Sequence, residues 1–109
     1  MKTKIKQYVV INDSLKMSKG KIARVCLMCG TQMHNVSTMF QRIRWMLNNC
    51  NAVILKTSEF NELLQHLDTS NIKHFTHVDG GITQVARGSK CAVTFFSKDS
   101  DYTNKLKLY

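Results

Sequence analysis

Two short segments hold the residue types from which chemistry could be built. The first, Lys16-Met17-Ser18-Lys19-Gly20-Lys21, places three cations within six residues. The second, Asp79-Gly80-Gly81-Ile82-Thr83-Gln84-Val85-Ala86-Arg87-Gly88-Ser89-Lys90, supplies a carboxylate, two hydroxyls and two further bases among its glycines. Lysines at the start of a helix make a site for phosphate or for a developing oxyanion, because the unpaired N–H groups and positive dipole end there add to their charge. A carboxylate and a hydroxyl facing the same place could orient a water or accept its proton. The spacing is not that of a nucleotide-triphosphatase phosphate loop: G-x-x-x-x-G-K-[ST] is missing, and Ile22 follows Lys21 where Ser or Thr would hold magnesium. Asp79 also has a plainer reading, since Asp before Gly is ordinary turn chemistry.

Other reactive types are placed less suggestively. Cys26 and Cys29 form a C-x-x-C, but they fall on an apolar helical stripe rather than at a helix start, so core packing accounts for them better than zinc or redox chemistry. His66, His74 and His77 show no ligand spacing and read as solvated or hydrogen-bonded side chains. Trp45 and Phe40 lie on or beside the stripe, which suits core or a subunit interface.

The elements that must position the two segments can be traced along the chain. Residues 5–12 run into the apolar block Tyr8-Val9-Val10-Ile11, a strand expected to be covered on both faces. After a polar turn, Ile22, Cys26, Cys29, Met33, Val36, Phe40, Ile43 and Leu47 recur at alternating spacings of four and three, the signature of a helical stripe. A break is expected near residues 34–38 and a stop at Asn48-Asn49. Ala52-Val53-Ile54-Leu55-Lys56 is a second buried strand, and Ser58 is the expected N-cap of a helix whose inner face is Phe60, Leu63, Leu64 and Leu67. Strands follow near Lys73 to Val78, which would lie beside the first strand, and at Cys91 to Phe96. The tail is weakly helical, with Leu106 and Leu108 as anchors. The expected architecture is a single small α/β domain, a four-stranded mixed β-sheet sandwiched by helices. The lysine loop then sits where strand one hands over to a helix, the place where open α/β sheets bind ligands.

Charge agrees with that address. The 109 residues carry a net +9, and residues 1–24 alone hold seven bases against Asp13, a surplus of +6. Such a concentration attracts polyanions, nucleic acid above all. No apolar run is long enough to span a bilayer and no signal peptide is indicated, so a soluble, cytoplasmic protein with reduced cysteines is expected.

Both segments resemble the type 2 peptidyl-tRNA hydrolases. The family's first signature, roughly D-L-K-M-G-K-G-K-x-A-A-Q-x-x-H-A after a V-V-rich strand, is met by Val9-Val10 and by Leu15-Lys16-Met17-Ser18-Lys19-Gly20-Lys21-Ile22-Ala23. Its second, D-A-G-x-T-Q-[IL]-x-P-G-[ST], is met by Asp79-Gly80-Gly81-Ile82-Thr83-Gln84-Val85-Ala86-Arg87-Gly88-Ser89, and Leu106-Lys107-Leu108-Tyr109 is similar to its terminus. The resemblance implies hydrolysis of the ester between a peptide and the terminal ribose of tRNA, with no metal or other cofactor. Lys21, Asp79 and Thr83 fall on the family's catalytic positions. Asp79 would orient or deprotonate water, directly or through Thr83, and Lys21 would stabilise the oxyanion or the leaving ribose oxygen. Lys16, Lys19 and Arg87 would contact tRNA phosphates, with Gly20, Gln84 and Ser89 beside them at the substrate. The family is commonly dimeric, and Trp45 and Met46 are candidates for such an interface. The chain departs from the pattern where the family has Gln and His in the first helix, here Val25 and Met28. A tRNA- or RNA-binding protein of the same fold with weakened catalysis is therefore the alternative.

Overall fold

The most strongly apolar stretch becomes the middle of the sheet. The structure is a computed structural model and describes residues 4–79 and 88–109. In it β1 (Lys6–Asn12) leads through a single 3-10 turn (Asp13–Leu15) to α1 (Lys19–Val36) and α2 (Met39–Leu47). Then come β2 (Ala52–Thr57), α3 (Phe60–Thr69), β3 (His74–Val78), β4 (Lys90–Ser97), α4 (Asp101–Lys105) and β5 (Lys107–Leu108). The strand order is β3-β4-β1-β2-β5, with β1 parallel to β2 and the other three pairings antiparallel.

The period-two alternation of β1 divides the core between two faces. Tyr8 and Val10 pair with Phe95 and Val93 and join Leu55, Phe60, Leu63 and Leu67 under α3. Val9 and Ile11 point the other way and pack with Ile22, Val25, Cys29, Cys91 and Ala92 under α1. Each fully buried Leu or Ile side chain here contributes about 1.5–3 kcal/mol. One polar pair interrupts the apolar interior: Gln7 Nε2 donates to Thr94 Oγ1 at 3.1 Å, which satisfies both groups. At the far end of α1, Met33, Ile5 and Phe96 form a third small cluster, against which Trp45 packs.

Several expectations are corrected. The sheet has five strands among the described residues, because Lys107 and Leu108 pair with Lys56 and Leu55 and add an edge strand the apolar pattern did not reveal. β3 lies beside β4 rather than beside β1, so the third strand runs parallel to the first but one strand removed. Glu59, not Ser58, takes the N-cap position of α3, and the hydroxyl of Thr57 accepts from the Glu59 N–H. Leu108 is exposed and joins the sheet through its backbone alone, leaving Leu106 as the apolar anchor. The helical stripe is core only as far as Val36. Phe40 and Leu47 are about four-fifths exposed, and α2 has no buried residue. The break itself falls where expected, with Ser37 and Thr38 separating the helices and Thr38 forming a capping box with Gln41. Among the described residues no helix is long and apolar enough to cross a membrane.

Candidate active site

The lysine loop is shaped by two local devices. Lys16 adopts a left-handed conformation (φ 53°) that ends the 3-10 turn and redirects the chain. Ser18 then caps α1, its hydroxyl accepting from the Lys21 N–H at 3.3 Å. The cap places Lys21 in the third helical position, on the side that faces the sheet, while Lys16, Ser18, Lys19 and Gly20 remain exposed.

Lys21 is turned inward and meets Asp79. Its Nζ lies 2.6 Å from Asp79 Oδ1, and the two side chains are only 4% and 2% exposed. A buried ammonium and carboxylate are tolerable only together, since each alone would lose its hydration uncompensated. The backbone of Asp79 is fixed as well. Its N–H donates to the Ser89 carbonyl and its own carbonyl accepts from Gly88 N–H, both at 2.9 Å, and Gly88 meets this geometry with φ 87°. Asp79 therefore stands at the carboxyl end of β3 where the neighbouring strand β4 begins. Asn12, at the end of β1, ties the same corner by donating its Nδ2 to the Lys90 carbonyl at 2.9 Å.

Three further groups enter this corner. A bulge between β3 and β4 pairs His77 with Ala92 and Val78 with Lys90, so Cys91 is the extra residue. Cys91 and Ala92 are both buried in the cluster under α1. His77 shares that face and is half-buried. Its imidazole is held below its ordinary pKa by burial first, then by the Lys21 and Arg24 charges, with Asp79 opposing. Arg24 lies one helical turn beyond Lys21 and is exposed. The sequence marks neither as a site residue: His77 reads there as a solvated or hydrogen-bonded side chain, and Arg24 only adds to the basic surplus. The available signals were the i, i+3 spacing from Lys21 and the two-residue step back from Asp79, both weak without knowing which strand lies under the helix.

Of the residues expected at the site, the structure joins Lys21, Asp79 and Ser89, the last through its carbonyl, and sets Lys16, Lys19 and Gly20 on the rim. Thr83, Gln84 and Arg87, with Gly80 and Gly81, lie outside the described residues. Val25 is fully buried among apolar neighbours and Met28 is half-buried. Cys50 is exposed, whereas the other three cysteines pack into the core: burial pushes Cys26, Cys29 and Cys91 up, Cys29 to about 12, which disfavours the thiolate a ligand or nucleophile requires. Among the described residues no group of three His, Cys, Asp or Glu side chains is placed to hold a metal ion. His66 stacks on Tyr102, and His74 shares a hydrogen bond of 2.8 Å with the Ile72 carbonyl. A cleft of about 410 Å³ lined by Cys26, Gly30, Met33, Arg42, Trp45 and Phe96 sits toward the other end of α1, away from Lys21.

Lys21 of the first segment and Asp79 of the second thus form a buried ion pair at the junction of a strand and a lysine-flanked helix. The model of the family described as peptidyl-tRNA hydrolase PTH2 matches residues 5–109. The chain belongs to this family. No curated protein is a match for it. Within the PTH2 family pattern, the Gly preceding K-G-K is replaced here by Ser18, and the replacement is put to use as the cap of α1.

Proposed function

We propose that the protein is a working peptidyl-tRNA hydrolase, a cytoplasmic enzyme that is one domain throughout and cleaves the ester between a peptide and the terminal ribose of tRNA. The observation that carries this reading is the 2.6 Å Lys21–Asp79 pair, buried at the mouth of a basic strand-to-helix junction in a chain of the PTH2 family. Ester hydrolysis needs an oriented water and a fixed positive group for the tetrahedral oxyanion. Asp79 orients the water, directly or through Thr83. The Lys21 ammonium stabilises the oxyanion and then the leaving ribose oxygen, a cationic role that needs no metal. Both groups are held in advance by the Ser18 cap and the Ser89 and Gly88 backbone contacts, so little reorganisation is required at the moment of reaction. Lys16, Lys19, Arg24 and Arg87 bind phosphates, with Gly20, Gln84 and Ser89 beside them. Contacts of that kind position tRNA without reading its sequence.

The deciding experiment incubates the purified protein with an N-blocked aminoacyl-tRNA beside Asp79→Ala. Cleavage by the wild type and a loss of at least ~100-fold in the variant is expected. Binding of tRNA by both proteins with cleavage by neither would instead favour a tRNA-binding protein of weakened catalysis, the reading to which Val25 and Met28 point. We also read the exposed Met39, Phe40, Ile43, Met46 and Leu47 of α2 as the face of a homodimer, which sedimentation at two protein concentrations tests.

A further inference from the structure

Hydrolysis by the route above leaves one proton without an acceptor. Asp79 is poorly suited to take it, because neutralising the carboxylate would leave the Lys21 ammonium buried beside it without its counter-charge. A second basic group is available in the same corner. His77 lies on β3 two residues before Asp79, and its cross-strand partner Ala92 points into the cluster beneath α1, so the imidazole is directed toward the same helix as Lys21. It is half-buried, unlike the ion pair, so it borders both the site and solvent.

We propose that His77 is the proton acceptor for the attacking water. This rests on the hydrolase reading and completes it. Water forms a bond from its oxygen to the ester carbonyl carbon while one of its protons passes to a ring nitrogen of His77. The tetrahedral intermediate, its oxyanion facing Lys21, then collapses. The bond between the carbonyl carbon and the ribose oxygen breaks with its electron pair on the ribose oxygen, which takes the proton back from the imidazolium. The carboxylic acid so formed ionises and releases one proton to solvent.

The surroundings of His77 suit this role. Lys21 and Arg24 of α1 face it with positive charge, Asp79 follows it on its own segment, and Cys91 of β4 is a buried thiol kept protonated. Burial and the two cations outweigh the carboxylate, so the imidazole is neutral at pH 7 and able to accept a proton. After accepting it, the imidazolium is flanked by Lys21 and Arg24, which favours its prompt return to the ribose oxygen.

The test is the pH dependence of kcat/KM, which reports the free enzyme, on an N-blocked aminoacyl-tRNA between about pH 5 and 9 for wild type, His77→Gln and His77→Asn, with kcat, tRNA affinity and thermal unfolding measured on each. The wild-type rate should fall toward acid with a midpoint below 6.5, as the imidazole protonates. Both variants should lose about 100-fold in kcat at neutral pH and lose that acidic limb, while tRNA affinity stays within about two-fold. A folded variant with the wild-type rate, or with a lowered rate but an unchanged pH profile, overturns the assignment. So does a wild-type profile with no acidic limb, even if neither variant folds. If the wild type cleaves no ester, the hydrolase reading fails and this one with it. If it cleaves and the His77 variants match it, only the His77 assignment falls.

Discussion

Burying Lys21 against Asp79 makes each of them a stability determinant as well as a candidate catalyst, and the two roles can be separated. Removing either partner strands a charge in the interior, which typically destabilises by about 3–5 kcal/mol, whereas removing both is far milder. Lys21→Met and Asp79→Asn are therefore each expected to lower urea stability by several kcal/mol, and the double variant by clearly less than their sum. Ester cleavage should be absent from all three. Additive losses would mean that the pair does not form in solution. Tyr8 offers a second reading at the same scale. Its hydroxyl donates to Asp99, and burial together with that carboxylate raises its pKa from 10.0 to about 12. A phenol whose folded value lies above its unfolded one contributes stability that is intact below pH 10 and is lost as pH climbs toward 12. Absorbance of the three tyrosines should show Tyr8 titrating latest, after Tyr102, which burial also raises, and Tyr8→Phe should remove that latest step and lessen the alkaline loss of stability.

The two consecutive helices are held by different forces. α1 is anchored through buried side chains, so Met33→Ala, at a residue 1% exposed, should cost about 2–5 kcal/mol through lost burial and the cavity left behind. α2 buries nothing fully and touches the body chiefly through Trp45 against Phe96 and through Arg42, whose Nη1 donates to the His34 and Ser37 carbonyls. For such a helix the capping box matters more than the exposed ring of Phe40. Thr38→Ala should cost about 1 kcal/mol and Phe40→Ala less than about 0.5 kcal/mol, as measured by urea unfolding at low protein concentration. A larger loss for Phe40→Ala that grows with protein concentration would show the α2 face to be covered by a second copy. β3 and β4 contribute in another way: their bulge admits Cys91 as an extra residue, giving two consecutive buried side chains under α1 just where Asp79 leaves the sheet.

Across the whole molecule the +9 charge is unevenly placed, and the fold gathers Lys16, Lys19, Arg24 and Lys90 around one corner of the sheet. Phosphate contacts release counterions, so tRNA affinity should fall steeply with salt, by roughly 10²–10³-fold between about 50 and 200 mM for about five contacts. A flat salt titration would refute a phosphate-binding corner. The arrangement of that corner was only partly legible in the chain. Local pattern sufficed for β1, for the break at Ser37 and Thr38 and for Cys26 and Cys29 as core, because hydrophobic period and capping chemistry are properties of neighbouring residues, whereas Lys21 and Asp79 were marked out through the resemblance of their two motifs to a family. Strand order, the edge strand at Lys107 and Leu108, the exposure of the α2 stripe and the placing of His77 under the helix that carries Lys21 depend on which surfaces meet across long stretches of chain. A local pattern can show that a residue has an apolar or a charged face, but only the packed sheet decides what lies opposite it. For Phe40 that is solvent, and for Asp79 it is a buried ammonium.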